Sequence, residues 1–247
     1  MRWRAILLVV TLWAFGGAAC GQGLRWDVTV GFDNAYKEGA WTPVFVDIRN
    51  EGGGQTGQIE IPVAYRAPAA RKVNYAVAVD LPRHSKKRYT LYVPSEGLEN
   101  VYLNLSGGRA KRELGRLKEA SREDTLVVVV GGERGLLSFL AGTKAVRTER
   151  AEESPWQPGG EEQGPAEGWD TLPESWLGWD GVDAVVLGDA DFASASEEGL
   201  RALMQWVELG GTLVVPGGAL SPAMAASAIA RMLPMEVKGT TVLPDLA

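Results

Sequence analysis

The chain has 247 residues, 45% of them hydrophobic and 23% charged, a balance that excludes global disorder and gives room for two domains with cores of their own. Its net charge of −6 argues against a nucleic-acid partner, because phosphate binding calls for clustered Lys and Arg. One Cys and one His leave no material for a disulfide framework or a Cys/His zinc site.

Residues 1–23 read as a targeting segment, a signal peptide, and stand outside the fold. Arg2 and Arg4 supply a positive start, Ala5 to Phe15 an apolar run, and Gly16-Gly17-Ala18-Ala19 the small residues a signal peptidase accepts. The apolar run falls short of the roughly 20 residues that cross a bilayer. Cys20 after Ala18-Ala19 is similar to a bacterial lipobox, with Gly17 where a Leu is usual, so lipidation, plain secretion and an uncleaved anchor all stay open. The expected location is extracytoplasmic.

Residues 24–107 alternate apolar and polar with period two, as half-buried strands do. Val44, Val46 and Ile48 fall on one face, as do Ile59, Ile61, Val63 and Tyr65. Val73 to Leu81, Tyr89 to Val93 and Val101 to Leu105 follow the same rule, with turn residues between the runs. Six or seven short strands so spaced predict an antiparallel sandwich of immunoglobulin-like type. Residues 108–123 mix Arg and Lys with Glu113, Glu119 and Glu123 and read as a solvated linker. A second domain is expected over 124–247. Thr125 to Val130 and Asp183 to Leu187 have the continuous apolar character of buried parallel strands. Leu136 to Ala141 reads as a short helix and Ser154 to Asp170 as a long loop. Ser196, followed by Glu197 and Glu198, reads as the cap of a helix that Gly210-Gly211 ends, before a last strand at Thr212 to Val215.

The stretch from Leu172 through Trp176, Trp179 and Asp180 to Asp183, with Trp206 to Val215, resembles the class I glutamine amidotransferase-like domains of uncharacterised bacterial envelope proteins. The opening Gly31-Phe32-Asp33-Asn34 and Gly39 to Val44 are similar to the start of the sandwich in the same proteins. The resemblance implies a signal peptide, a β-sandwich, a parallel-sheet, flavodoxin-like α/β domain and often a C-terminal membrane helix. Two departures stand out. Where the nucleophile elbow belongs, the chain reads Val215-Pro216-Gly217-Gly218-Ala219, with neither the thiol nor the His that glutamine hydrolysis needs. No apolar run near the C-terminus is long enough to span a membrane, so the chain is expected to be soluble, lipid-tethered or part of a longer protein.

Several groups invite a chemical reading. Gly131-Gly132-Glu133-Arg134-Gly135 lacks both the P-loop and the dinucleotide spacing and reads as a tight turn. Asp189 and Asp191 sit where parallel sheets place ligands, and with Asp180 and Asp183 they offer oxygen ligands for a hard cation. Acids at strand ends are also common caps and turn formers, the commoner use. Trp169, Trp176 and Trp179 offer a stacking surface or a lid packed over the sheet. His84 beside Ser85 makes no dyad, since neighbours on a strand point to opposite faces. The expectation is a non-catalytic binding or scaffolding protein of the cell envelope, without cofactor, whose partner is an envelope protein or a glycan. Trp176, Trp179, Asp180, Asp189 and Asp191 are its candidate ligand contacts, and Cys20 its candidate lipidation site. The alternatives are a carboxylate- or metal-dependent hydrolase and a structural subunit of a membrane complex.

Overall fold

The computed structural model describes residues 23–65, 72–115, 117–130, 146–150, 172–187, 195–215 and 227–235. The N-terminal half holds β1 (Leu24–Val30), β2 (Ala35–Lys37), β3 (Trp41–Asn50), β4 (Gln55–Ala64), β5 (Lys72–Leu81), β6 (Ser85–Pro94), β7 (Asn100–Leu105), β8 (Gly108–Glu113) and β9 (Lys118–Ala120). Two antiparallel sheets, ordered β1-β3-β6 and β5-β4-β7-β8, form a sandwich. Its core is the alternating set read from the sequence: Val44, Val46, Ile48, Ile59, Ile61, Val63, Val101 and Leu103 are 0–1% exposed and pack as one cluster. Alternation fixes this because successive side chains of a strand leave on opposite faces. On β5 the burial fades toward one end, from Leu81, fully buried, to Val73, 41% exposed.

Residues 108–123, which read as a linker, carry two strands. β8 pairs with β7 in the sandwich, and the short β9 pairs parallel with β2. One face of β8 looks outward with Arg109 and Lys111, and Arg109 lies 4.1 Å above the Tyr102 ring. Asn50 ties the sheets together where β3 ends. Its fully buried amide donates to the carbonyls of Gly53, Leu81 and Pro82, and its Oδ1 accepts from the Gly52 amide.

The C-terminal half corrects the expectation of a flavodoxin-like, amidotransferase-like α/β domain. The described chain is mostly β, with thirteen strands and one α-helix. That half contributes β10 (Thr125–Val130), β11 (Val146–Arg150), β12 (Ala184–Leu187), α1 (Glu197–Glu208) and β13 (Thr212–Val214). The strands form a parallel sheet ordered β11-β10-β12-β13. A β-branched run specifies a strand buried on both faces, but it does not specify that helices do the burying. Here Leu126, Val128, Val130, Val185 and Leu187 pack on Leu200, Leu203 and Trp206 of α1, on Trp179, and on Phe32 and Ala35 from the N-terminal half. α1 itself follows its sequence signals. Ser196 caps it, accepting from the Gly199 amide at 3.0 Å, and Gly210 follows at φ 108. The helix expected over Leu136–Ala141 and the loop Ser154–Asp170 lie outside the described residues.

Candidate functional site

The residues from Leu172 to Asp183 form a strap that joins the two halves. Ser175 caps a 3-10 turn over Trp176–Trp179, its hydroxyl accepting from the Leu177 amide. Gly178 is required inside it, since a Cβ there would lie 2.5 Å from Pro173 and 2.7 Å from the Tyr92 ring. This close approach seats the turn on the outer face of β3 and β6. Trp179 then points into the core shared by both halves and is fully buried. Its ring centroid lies 5.2 Å from that of Phe32 and 5.9 Å from that of Trp206. Its Nε1 has no hydrogen-bond partner among the described residues.

The two acids of the strap act as connectors. Asp180 Oδ2 accepts from the Trp41 amide at 2.9 Å, binding the strap to the start of β3. Asp183 receives the Leu126 amide at 2.7 Å and the Lys37 ammonium at 2.8 Å, while its own amide donates to the Leu126 carbonyl. Sequence reasoning had no signal for Lys37, whose partner is 146 positions away. Ser95 finishes this end of the sandwich; only 2% exposed, it accepts from the Gly39 amide and donates to the Lys37 carbonyl. Nearby, Trp41 meets Tyr75 edge-on at 5.9 Å, and the Tyr75 and Tyr65 hydroxyls lie 2.8 Å apart. Burial, then the bond to Tyr65, pushes the Tyr75 phenol up to about 12.

Trp176 stays 41% exposed and does not join Trp179 in the core. Next to it in the chain, Ser175 borders a cleft of about 360 Å³ between the strap and the sheet. Phe45, Arg88, Tyr92 and Leu172 also line it, with Thr90 and Glu174. Arg88 is held there by Asp47, through two contacts of 2.9 Å. Burial pushes the Tyr92 phenol up. The backbone amides of Glu174 and Ser175, which face the hydroxyl without completing a hydrogen bond, pull the other way.

Asp189, Asp191, Trp169, Cys20, the Gly131–Gly135 turn and the Pro216–Ala219 turn lie outside the described residues. Among the described residues no three His, Cys, Asp or Glu side chains gather as a metal site. His84 is exposed on the β5–β6 hairpin at φ 54, where its Nε2 accepts from Arg83 Nε at 3.0 Å. Among the described residues no helix is long and apolar enough to cross a membrane.

Residues 23–112 match a family described as a domain of unknown function (DUF8726), a span that covers the sandwich from β1 into β8. No curated protein matches the chain. Among solved structures it is similar to a β-glucosidase from Listeria innocua in complex with laminaribiose, with 16% identity and a TM-score of 0.25, over 38% of this chain and 16% of that one. It is also similar to a cycloisomaltooligosaccharide glucanotransferase from Paenibacillus sp., with 11% identity and a TM-score of 0.27, over 76% of this chain and 27% of that one. The chain thus spans less than a third of either protein, and likenesses this distant carry neither fold nor activity across.

Proposed function

We propose that the chain is a non-catalytic binding or scaffolding protein of the bacterial cell envelope, working outside the cytoplasm. The observation that supports this most is the use made of the strap. Asp180 and Asp183, which as free carboxylates are candidates for metal or acid–base work, accept from backbone amides and join the halves. Trp179 is core. What the strap leaves accessible is one large aromatic side chain, Trp176, whose chain neighbour Ser175 borders a cleft with polar and apolar walls. That combination suits a glycan or protein surface, which aromatic rings contact over a wide area. The leader, with Cys20 at its end, supports the extracytoplasmic placement.

The test is to express the full chain with a photo-crosslinking amino acid in place of Trp176, irradiate cells, fractionate them and sequence the N-terminus. The expected result is protein outside the cytoplasm, starting at or near Cys20, with a discrete cross-linked envelope product. Cytoplasmic protein with Met1 intact and no cross-link defeats the proposal.

A further inference from the structure

β5 forms one edge of its sheet, since the order is β5-β4-β7-β8 and no described strand pairs with its outer side. An unpaired edge offers a row of open amides and carbonyls, which proteins usually blunt with charge, proline or a bulge. The opposite edge, β8, follows that rule with Arg109, Lys111, Arg112 and Glu113. β5 does not. From Val73 to Val79 it reads Val-Asn-Tyr-Ala-Val-Ala-Val, without charge or proline. Its pairing to β4 runs unbroken from Leu81 to Lys72, so no bulge interrupts it.

Tyr89 shows which backbone groups face that edge. Its hydroxyl accepts from the Asp80 amide at 3.1 Å and donates to the Asp80 carbonyl at 2.9 Å. Those two groups therefore point away from β4, and Tyr89 closes the edge at Asp80. Backbone groups change sides at every residue of a strand, so those of Asn74, Ala76 and Ala78 point the same way as those of Asp80. All three residues are exposed, and two are alanines, so another backbone can approach closely. On the core-facing side Val73 is 41% exposed, and Tyr75 and Val77 are half-buried. This stretch keeps apolar surface uncovered.

The sequence of β5 identifies what fits. Lys72 and Asp80 lie four positions on either side of Ala76. Antiparallel pairing with the β5 of a second copy, about a two-fold axis at Ala76, sets each Lys72 opposite an Asp80. Lys72 is exposed. The Asp80 side chain is 69% exposed, and its contact with Lys87, at 3.7 Å, is a loose pair in water that leaves it able to meet a second cation. In the same register Asn74 faces Ala78, Val73 faces Val79 and Tyr75 faces Val77, and aromatic and β-branched pairs of this kind stabilise a ladder. The outward groups of Asn74, Ala76 and Ala78 would exchange about six hydrogen bonds, ending where Tyr89 takes over. We propose that two copies of this chain dimerise through β5, joining their two four-stranded sheets into one continuous sheet. Such a two-fold contact occupies both edges, so the assembly closes at the dimer.

The experiment is sedimentation equilibrium of the full chain over a range of concentrations, with amide hydrogen exchange of β5. Wild type is expected to form a dimer that dissociates on dilution, with the Ala76 amide exchanging more slowly in the dimer. Ala76→Pro removes the central amide at an edge position, where proline is tolerated, so it should stay folded and sediment as a monomer. Lys72→Glu alone and Asp80→Lys alone each set like charges across the axis, and each should weaken the dimer on the order of tenfold. Mixing these two variants restores both opposite-charge pairs, so the mixture should form a heterodimer about as tight as wild type. Misfolding cannot imitate that rescue. A monomer at every concentration overturns the proposal, as does a dimer that Ala76→Pro leaves intact. A mixture that associates no better than its two components overturns the pairing of β5 with itself.

Discussion

At one end of β1, β3 and β6, around Val30, Trp41 and Pro94, the sheet runs into the strap, and a charged pair, Lys37–Asp183, lies among backbone hydrogen bonds. At the other end, about 30 Å away along the ten residues of β3, the same strands set Arg25, Arg49 and Lys86 side by side in a solvent-facing row, with Glu51 paired to Arg49. The difference shows what burial does to charge. Where water is partly displaced, each charge meets an opposite charge or an amide dipole, because leaving it unmatched is expensive. Where water screens, opposed like charges persist at small cost.

The largest way to break this contrast is at Trp179. Replacing it with Ala empties the core shared by the halves and should destabilise by about 3–5 kcal/mol, read as a lower denaturant midpoint. Trp179→Phe keeps a ring between Phe32 and Trp206 and removes a buried N–H without a partner. It should cost far less, about 1 kcal/mol. A similar loss for both substitutions would mean that ring packing is not what joins the halves.

A smaller change sharpens the electrostatic side. Asp183→Asn removes the charge that faces Lys37 and weakens the bond to the Leu126 amide. The expected loss is about 1–2 kcal/mol, since the pair is partly solvated. Chemical denaturation in low and high salt checks it, and the difference between wild type and variant should narrow as salt rises.

The smallest effect belongs to Tyr75, beside Trp41. Its folded pKa of about 12 lies above the ordinary 10, so the folded state holds the proton more tightly. That stability is present in full below pH 10 and is lost as pH rises from 10 toward 12. Tyr75→Phe should flatten this alkaline limb of a melting-temperature profile while leaving neutral pH nearly unchanged. An alkaline limb as steep in the variant would assign it to other groups.

The sandwich core was legible because alternation is geometric: a residue two places from a buried one on a strand is buried with it. β8 was not, because Arg109, Lys111 and Glu113 on its outer face and Arg112 on the other leave only Ala110 as an apolar signal. The layer over the parallel sheet was not legible either. Thr125 to Val130 shows that a strand is covered, but Phe32 and Ala35, which help to cover it, come from more than 90 positions away. For Trp179, the reading as a lid packed over the sheet matches its place in the core, while its spacing alone could not separate it from the exposed Trp176. Asp180 and Asp183 were legible as caps and, less readily, as cation ligands, and the backbone amides they accept from leave no mark on the sequence.

The edge position of β1 has a mechanical consequence. β1 enters the fold at Leu24, pairs residue by residue with β3 as far as Val30↔Val44, and leaves toward the strap. Antiparallel hydrogen bonds run perpendicular to the strands. A pull on Leu24 against a hold at the strap therefore loads the whole β1–β3 ladder in shear, every bond at once, instead of opening it like a zipper. Tension between a tethered N-terminus and a partner held by the C-terminal half would act along the direction in which this sandwich resists most.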